Sequence, residues 1–162
     1  MKKLIILIAS ILFTVSLFAQ DSFIIVSKQE MKLRRYDLKG NILEEYLIAC
    51  GRNYGNKQKR GDNRTPEGVF TVQQIQNASA WTHDFKDGKG EIKGAYGSHF
   101  IRLKTNFQGI GIHGTHAPES IGTRATEGCI RLKNEDLLKL VKNIKIGMVV
   151  IITGSKEDAK ID

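Results

Sequence analysis

The chain has 162 residues, 41% of them hydrophobic and 26% charged, and its formal net charge is +8. This length fits one domain with a sizeable core, and the composition is typical of a soluble globular protein rather than a disordered one. The positive charge suits an acidic polymer or an anionic lipid as well as it suits simple solubility. Because the basic residues are scattered and no aromatics are interleaved with them, we predict no nucleic-acid binding.

Residues 1–19 have the layout of a secretory signal peptide. Two lysines precede an apolar run over residues 4–18, and Ala19 offers a small residue for cleavage. The run is shorter than the roughly 20 residues of a membrane span, and no stop-transfer charges follow it. We therefore predict an exported protein of the periplasm or cell wall with no integral membrane span after cleavage. An uncleaved membrane anchor is the alternative.

Strand patterns follow one another along most of the remaining chain. Apolar, β-branched or alternating runs predict strands at residues 22–27, 31–36, 42–50, 68–76, 99–104, 110–113 and 148–153. One helix is predicted before the last strand, with Asn134 as its N-cap, acidic residues in its first turn and Gly147 at its end. About eight short strands against one helix predict a mainly β fold.

Three segments carry no regular pattern. Residues 51–63 are polar and glycine-bearing, so we predict a loop there. Residues 77–95 lack periodicity, and Trp81 within them either anchors the segment to the core or contacts a substrate. Residues 155–162 are predicted to be a flexible tail. The domain itself is therefore assigned to residues 20–154.

The sequence has two cysteines, Cys50 and Cys129, and they call for different explanations. Cys50 ends an apolar strand and reads as a small core residue. Cys129 lies in a glycine-rich stretch, 16 residues after His113. A histidine that accepts the thiol proton makes a cysteine a strong nucleophile, so this pair is a candidate catalytic site. A disulfide between the two cysteines, which would block that chemistry, is the alternative.

The residues around Cys129 are suited to acyl transfer. Gly128 removes a side chain where a substrate carbonyl would approach, and the backbone N–H groups of Glu127, Gly128 and Cys129 are predicted to face a developing oxyanion. Arg131, two residues along an extended chain, would share the face of Cys129 and could bind a substrate carboxylate.

Two segments of this stretch, IHGTHAPESIG and ATEGCIRL, closely resemble the signature of L,D-transpeptidases of the YkuD type. TPEGVF at residues 65–70 and AYGSHFIRL at residues 95–103 extend the resemblance over residues 23–153. Thr126 stands where the family usually has serine, and it keeps the hydroxyl. Glu127 occupies a place often held by a basic residue or histidine. We expect this acid to raise the pKa of the neighbouring thiol.

The resemblance implies a β-sandwich with one helix before the last strand, and an exported cysteine acyltransferase acting on peptidoglycan stem tetrapeptides. Cys129 would form a thioacyl enzyme with loss of D-Ala. His113 would act first as base and then as acid, oriented by the backbone carbonyl of Gly114 or a neighbour. An acceptor amine would give a 3–3 cross-link or anchor a lipoprotein, whereas water would make the protein an L,D-carboxypeptidase. No metal or organic cofactor is implied.

Five residues are predicted to bind substrate: Arg131, Tyr54, Thr65, Arg124 and Trp81. For Tyr54, Thr65 and Arg124, a solvated-loop role is equally compatible with the sequence.

The other histidines carry weaker signals. His116 could pair with His113 on a metal, but no third ligand lies at a suitable spacing, so we predict no metal site. His83 and His99 read as surface or strand residues. We expect a monomer. A non-catalytic wall-binding module is the remaining alternative to an enzyme.

Overall fold

The structure is a computed structural model that describes residues 21–85, 88 and 90–161. Within these residues the chain forms twelve strands and one α-helix, α1 (Asn134–Val141). The strands are β1 (Ser22–Ser27), β2 (Lys32–Asp37), β3 (Ile42–Leu47), β4 (Cys50–Gly51), β5 (Gly68–Asn77), β6 (Thr82–Asp84), β7 (Glu91–Lys93), β8 (His99–Lys104), β9 (Gly111–His113), β10 (Arg124–Thr126), β11 (Ile130–Arg131) and β12 (Val149–Thr153). The predicted signal peptide, residues 1–19, lies outside the described residues.

Eight of these strands form one mixed sheet in the order β11-β9-β8-β5-β12-β1-β2-β3. The pairs β1–β12 and β9–β11 are parallel, and the other neighbours are antiparallel. Along β1 the side chains of Ile24 and Val26 are fully buried, because alternate residues of a strand point to one face. They join a core into which α1 inserts Leu137 and Leu140. The mainly β fold with one helix before the last strand is confirmed.

The segment 77–95, predicted to be irregular, contains two strands. β6 and β7 pair antiparallel, with Thr82 opposite Lys93 and Asp84 opposite Glu91. Each strand has only three residues, which is too short to show an alternating pattern in the sequence. The prediction was therefore wrong here, and residues 77–95 present a small hairpin.

Asn134 does not cap the helix. Lys133 occupies the N-cap position, with no side-chain cap hydrogen bond, and Asn134 is the first helical residue. Its side-chain amide instead accepts a hydrogen bond from the Thr115 N–H (2.8 Å) and donates one to the Thr115 carbonyl (2.9 Å). Two bonds to a neighbouring loop replace the single bond that a cap would have made.

The chain after β12 is not the flexible tail that we predicted. Ser155 is buried and Asp158 has no exposed surface. The Asp158 carboxylate accepts hydrogen bonds from the backbone of Gly55 (2.7 Å) and Ser155 (2.6 Å). It also lies 3.3 Å from the Lys28 ammonium and 2.8 Å from the Arg124 guanidinium. Buried charges need such partners, so this segment belongs to the domain.

Candidate active site

Two adjacent parallel strands deliver the predicted nucleophile and base. In the pairing of β9 with β11, Ile112 is opposite Ile130 and His113 is opposite Arg131. Both isoleucines are fully buried. Because side chains alternate along a strand, His113 and Arg131 point to the other face, and Cys129, two residues before Arg131, points there too.

That face lines a groove with a volume of about 800 Å³. His113, Cys129 and Arg131 all contribute to its wall. The β6–β7 hairpin supplies His83, and the loops 51–63 and 105–110 form further wall. Other described lining residues are Lys57, Arg60, Gly61, Asn63, Phe85, Tyr96, Asn106, Phe107, Gln108, Gly109, Ile110, Thr126 and Glu127. The structure thus brings the predicted catalytic pair into one cavity that is large enough for part of a peptide.

His113 is held in one tautomer. Its Nδ1 lies 2.7 Å from the Gly114 carbonyl oxygen. A carbonyl can only accept, so Nδ1 carries the proton and Nε2 of the neutral ring is left as a proton acceptor. The ring stacks on Phe100 (centroids 5.5 Å apart) and meets the edge of Tyr96 (4.9 Å). Burial lowers the pKa of His113 to about 3, since the imidazolium is poorly solvated there. The imidazole is therefore neutral at physiological pH.

Asn134 braces the segment that orients His113. Its two bonds to the Thr115 backbone fix the loop just after β9. Gly114 is fixed further by its N–H, which donates to the Tyr96 carbonyl (2.8 Å). A β-carbon on Gly114 would collide with the Asn134 side-chain oxygen, so glycine is required at this close approach. Sequence reasoning missed this role because the helix-start pattern already accounted for Asn134.

Cys129 is partly exposed, and its thiol donates to the Gly109 carbonyl, with Sγ 3.1 Å from the oxygen. Burial raises the pKa of the Cys129 thiol to about 11, and the negative charge of Glu127 acts in the same direction. The effect of Glu127 on the thiol pKa has the sign that the sequence predicted. At rest, the nucleophile and the base are a neutral thiol and a neutral imidazole.

The turn before Cys129 differs from our prediction in one respect. The Gly128 N–H does not face the groove as an oxyanion donor, because it donates to the Thr126 hydroxyl (3.1 Å). The same hydroxyl donates to the Cys129 carbonyl (2.6 Å), so Thr126 closes the turn. The Cys129 N–H has no hydrogen-bond partner among the described residues. The Glu127 N–H likewise has no partner among those residues, so these two N–H groups are the backbone donors that this turn leaves for an oxyanion.

Gly128 is required for a reason other than substrate access. Its φ is +131°, a conformation that side-chain-bearing residues rarely adopt. A β-carbon there would lie 2.6 Å from the Arg64 carbonyl oxygen. The glycine thus lets the turn pack against the end of the loop 51–63.

Glu127 belongs to a chain of three polar side chains. Its Oε2 lies 3.2 Å from Nε2 of His83, and Nδ1 of His83 lies 2.9 Å from the Tyr96 hydroxyl. A carboxylate only accepts, so His83 donates from Nε2 to Glu127 and, when neutral, accepts from Tyr96 at Nδ1. We predicted that His83 is a surface or strand residue, and it lies in strand β6, which carries it into the groove. Its partner lies 44 residues away, so no local pattern could have shown the contact.

Arg131 is 4% exposed and faces the groove. One terminal nitrogen donates to the Ser120 hydroxyl (3.0 Å), and the guanidinium lies over the Phe85 ring (5.7 Å). Its Nε has no hydrogen-bond partner among the described residues. A buried donor without a partner is costly, and a substrate carboxylate would satisfy it.

The other four predicted substrate contacts lie outside the groove lining. Thr65 is fully buried, and its hydroxyl accepts from the Gly51 N–H (2.8 Å). Arg124 pairs with Asp158 and lies over the Tyr54 ring, 4.0 Å from its centroid. Trp81 packs against Tyr96 and Phe100 and supports the groove wall from behind. Each of these residues thus has a partner within the chain, and none of the four lines this groove.

Several groove residues escaped the sequence reasoning. Tyr96 packs on His113, Phe85 lies near Arg131, and Phe107 lies under the Lys57 ammonium (5.6 Å). Tyr96 falls within the AYGSHFIRL segment that we compared with the family, which was the available signal. Phe107 sits in a short loop with no distinctive pattern.

Both cysteines are free thiols, and Cys50 is fully buried. The structure therefore contains no disulfide between Cys50 and Cys129. In the described ranges, no three His, Cys, Asp or Glu side chains lie close enough to hold a metal ion. The same part of the chain has no helix long and apolar enough to cross a bilayer.

Comparisons with known proteins identify the family of this chain. The family model for the L,D-transpeptidase catalytic domain, YkuD, matches residues 21–152. A Bacillus subtilis protein named as an L,D-transpeptidase, YqjB, is 30% identical over 135 residues, covering 82% of this chain and 72% of the relative. Another from B. subtilis, YkuD, is 39% identical over 115 residues, or 71% of this chain and 56% of the relative.

Other relatives are much longer. The Escherichia coli protein ErfK/SrfK, also named as an L,D-transpeptidase, is 30% identical over 147 residues, and the match spans 80% of this chain but 43% of the relative. Among solved structures, the catalytic domain of the Enterococcus faecium L,D-transpeptidase superposes with a TM-score of 0.61 at 21% identity, covering 84% of this chain and 99% of that domain. A Mycobacterium smegmatis L,D-transpeptidase gives 0.60 at 17% identity, over 83% and 59%. These structures share the fold.

Proposed function

Because the chain belongs to the L,D-transpeptidase catalytic domain family, we propose that it is an exported cysteine acyltransferase acting on peptidoglycan stem tetrapeptides. The observation that carries the proposal is the placement of His113 and Cys129 on one face of two paired strands, where both line the same groove. The His113 tautomer leaves Nε2 available for the thiol proton. The export step rests on the signal-peptide pattern of residues 1–19.

The neutral resting pair defines the first half-reaction. The Cys129 thiol passes its proton to Nε2 of His113 as sulfur attacks the carbonyl carbon between the third and fourth stem residues. The Cys129 and Glu127 N–H groups are the donors available to the tetrahedral oxyanion. When the intermediate collapses, the C–N bond breaks and the imidazolium returns its proton to the departing amine. The products are a Cys129 thioester and free D-Ala.

The acceptor in the second half-reaction determines whether the protein is a transpeptidase or a carboxypeptidase. An amine that attacks the thioester forms a new amide and regenerates the thiol, giving a 3–3 cross-link between stems or an anchored lipoprotein. Water gives a free tripeptide and makes the protein an L,D-carboxypeptidase. In either case, we assign the Arg131 guanidinium to a substrate carboxylate, because its buried Nε has no other partner within the described structure.

The test is an incubation of the mature protein with tetrapeptide muropeptides, followed by mass spectrometry of both products and protein. We expect release of D-Ala, a thioacyl adduct on Cys129 and a cross-linked dimer. The Cys129→Ser variant should lose turnover by at least about 10³-fold and keep the fold, because a hydroxyl is far less ionised than a thiol of similar volume. Cys50→Ala is the matched control, since Cys50 is the buried thiol outside the groove.

Each outcome separates the candidates. Free tripeptide without dimer would identify a carboxypeptidase that uses the same site. No D-Ala release and no adduct on Cys129 would favour a non-catalytic wall-binding module. Turnover of the Cys129→Ser variant within tenfold of wild type would overturn the assignment of the nucleophile.

A further inference from the structure

We infer that Glu127 is the acceptor-recognition residue of this site, and that its carboxylate binds the ammonium group of the incoming amine. The inference rests on the proposed function and assigns the acceptor to one chemical class, a cationic primary amine in preference to water. It follows from where the carboxylate lies, how it is held and what it does to the neighbouring thiol.

The Glu127 carboxylate is fixed in place at the groove wall. It lies two residues before Cys129, and its Oε2 is held by His83 at 3.2 Å. His83 is held in turn by the Tyr96 hydroxyl (2.9 Å), and Tyr96 packs on the His113 ring. The other oxygen, Oε1, has no hydrogen-bond partner among the described residues. The chain of contacts therefore presents one free carboxylate oxygen close to both reacting groups.

Glu127 is also the one acidic side chain among the described residues that line the groove. The other charged lining residues are cations: Lys57, Arg60 and Arg131. Lys57 is already paired with Asp62 (2.7 Å), and Arg131 is suited to a carboxylate. A cationic ligand that enters this groove therefore finds a single anionic partner, and that partner adjoins the nucleophile.

The position of Glu127 is unfavourable for forming the thiolate and favourable for binding a cationic acceptor. Its charge contributes to the raised pKa of the Cys129 thiol, which opposes formation of the thiolate. In the resting thioester the sulfur carries no negative charge, so this repulsion is absent while the acceptor binds. The same carboxylate then attracts an ammonium group and raises the local concentration of the amine over the thioester.

The step balances with the groups named. The ammonium acceptor gives up two protons, and its nitrogen forms an amide bond to the acyl carbon as the C–S bond breaks. One proton leaves through Nε2 of His113 to solvent, and the other ends on the Cys129 thiol. Water, which is neutral, gains nothing from the carboxylate, so Glu127 should shift the partition of the thioester toward the amine.

The experiment measures that partition. The donor is a tetrapeptide whose own side-chain amine is acetylated, so that it cannot accept, and the acceptor is a stem tripeptide with a free side-chain amine. Chromatography with mass spectrometry gives the ratio of cross-linked product to hydrolysed donor. We expect Glu127→Gln, which keeps an oxygen for His83, to lower this ratio about tenfold. It should also modestly raise the rate of D-Ala release.

Glu135→Gln is the matched control, because Glu135 is an exposed acid in the first turn of α1 and does not line the groove. It should leave the ratio unchanged. A second probe is the acceptor with its amine trimethylated, which keeps the charge but cannot react. We expect this trimethylated probe to inhibit cross-linking by the wild-type protein but not by the Glu127→Gln variant. Circular dichroism checks that the variant keeps its fold.

The experiment distinguishes failure of the Glu127 inference from failure of the proposed function. An unchanged ratio in Glu127→Gln, with D-Ala still released, would overturn the inference and leave the proposed function standing. Wild-type protein that releases no D-Ala and forms no adduct would overturn the proposed function, and the inference with it.

Discussion

Two polar clusters of this domain accommodate the burial of titratable side chains in opposite ways. Around Asp158, opposite charges are paired: the carboxylate contacts both Lys28 and Arg124. Burial alone would raise the pKa of Asp158, but hydrogen bonds from Ser155 and Gly55 and the Lys28 charge hold it well below its usual value. Around His113 and Cys129, burial instead keeps both groups neutral. Paired charges suit a permanent support, whereas neutral partners remain free to exchange a proton.

The largest effect should come from removing the base. We expect His113→Ala to lower the rate of D-Ala release about 10³-fold, because both ring nitrogens of the other groove histidine, His83, are engaged by Glu127 and Tyr96. A single-turnover assay measures this rate. The control is His99→Ala, which alters a histidine of β8 outside the groove lining. A His113→Ala rate within tenfold of wild type would mean that another group acts as the base.

Breaking the charged cluster should affect stability rather than chemistry. We expect Asp158→Asn to lower the free energy of unfolding by about 3 kcal/mol, because Lys28 and Arg124 lose a buried partner. Urea unfolding at pH 7 measures it, with Glu157→Gln as the control. Since the folded-state pKa is lowered, this stability is present above the ordinary value of 3.8 and is lost as the pH falls below it. Equal unfolding midpoints for the two variants would contradict the expectation.

A smaller effect should follow from loosening the brace behind His113. Asn134→Ala removes both bonds to Thr115, and we expect kcat to fall about tenfold with little change in KM, because the Gly114 carbonyl no longer fixes the imidazole. Nitrogen-15 NMR of the His113 ring should show a mixture of tautomers. Asn143→Ala, an exposed position after the same helix, is the control. An unchanged tautomer would show that Asn134 is not a positioning residue.

The last prediction concerns the pH dependence of the Cys129 thiol and involves no change at the active site. Because the Cys129 pKa is raised to about 11, its thiol stays protonated at neutral pH, and the thiolate fraction should rise about tenfold per pH unit between 7 and 9. Alkylation by iodoacetamide in a Cys50→Ala background should follow the same slope. A plateau below pH 8 would show that a thiolate–imidazolium pair forms at rest.

The sequence predicted those features that local patterns encode. The apolar run at residues 22–27 and the alternating run at residues 99–104 predicted β1 and β8 with their observed bounds, and the spacing from His113 to Cys129 suits two neighbouring strands. Partners distant along the chain leave no such trace. The sequence around Asn134 is typical of a helix N-cap and does not reveal its hydrogen bonds to Thr115. The sequence around His83 likewise does not reveal its contact with Glu127. The polar composition after residue 154 likewise hides the burial of Asp158.

The packing around Gly51 and Gly128 sets how this domain can diversify. The end of the loop 51–63 abuts both glycines, since a β-carbon on Gly51 would lie 2.5 Å from the Asn63 carbonyl and one on Gly128 would lie 2.6 Å from that of Arg64. The end of this loop therefore packs directly against the turn that carries Cys129, and both glycines are needed for that close packing. Its tip, residues 58–61, is exposed and reaches the groove. An insertion at that tip would reshape the groove wall and leave the packing at Gly51 and Gly128 unchanged.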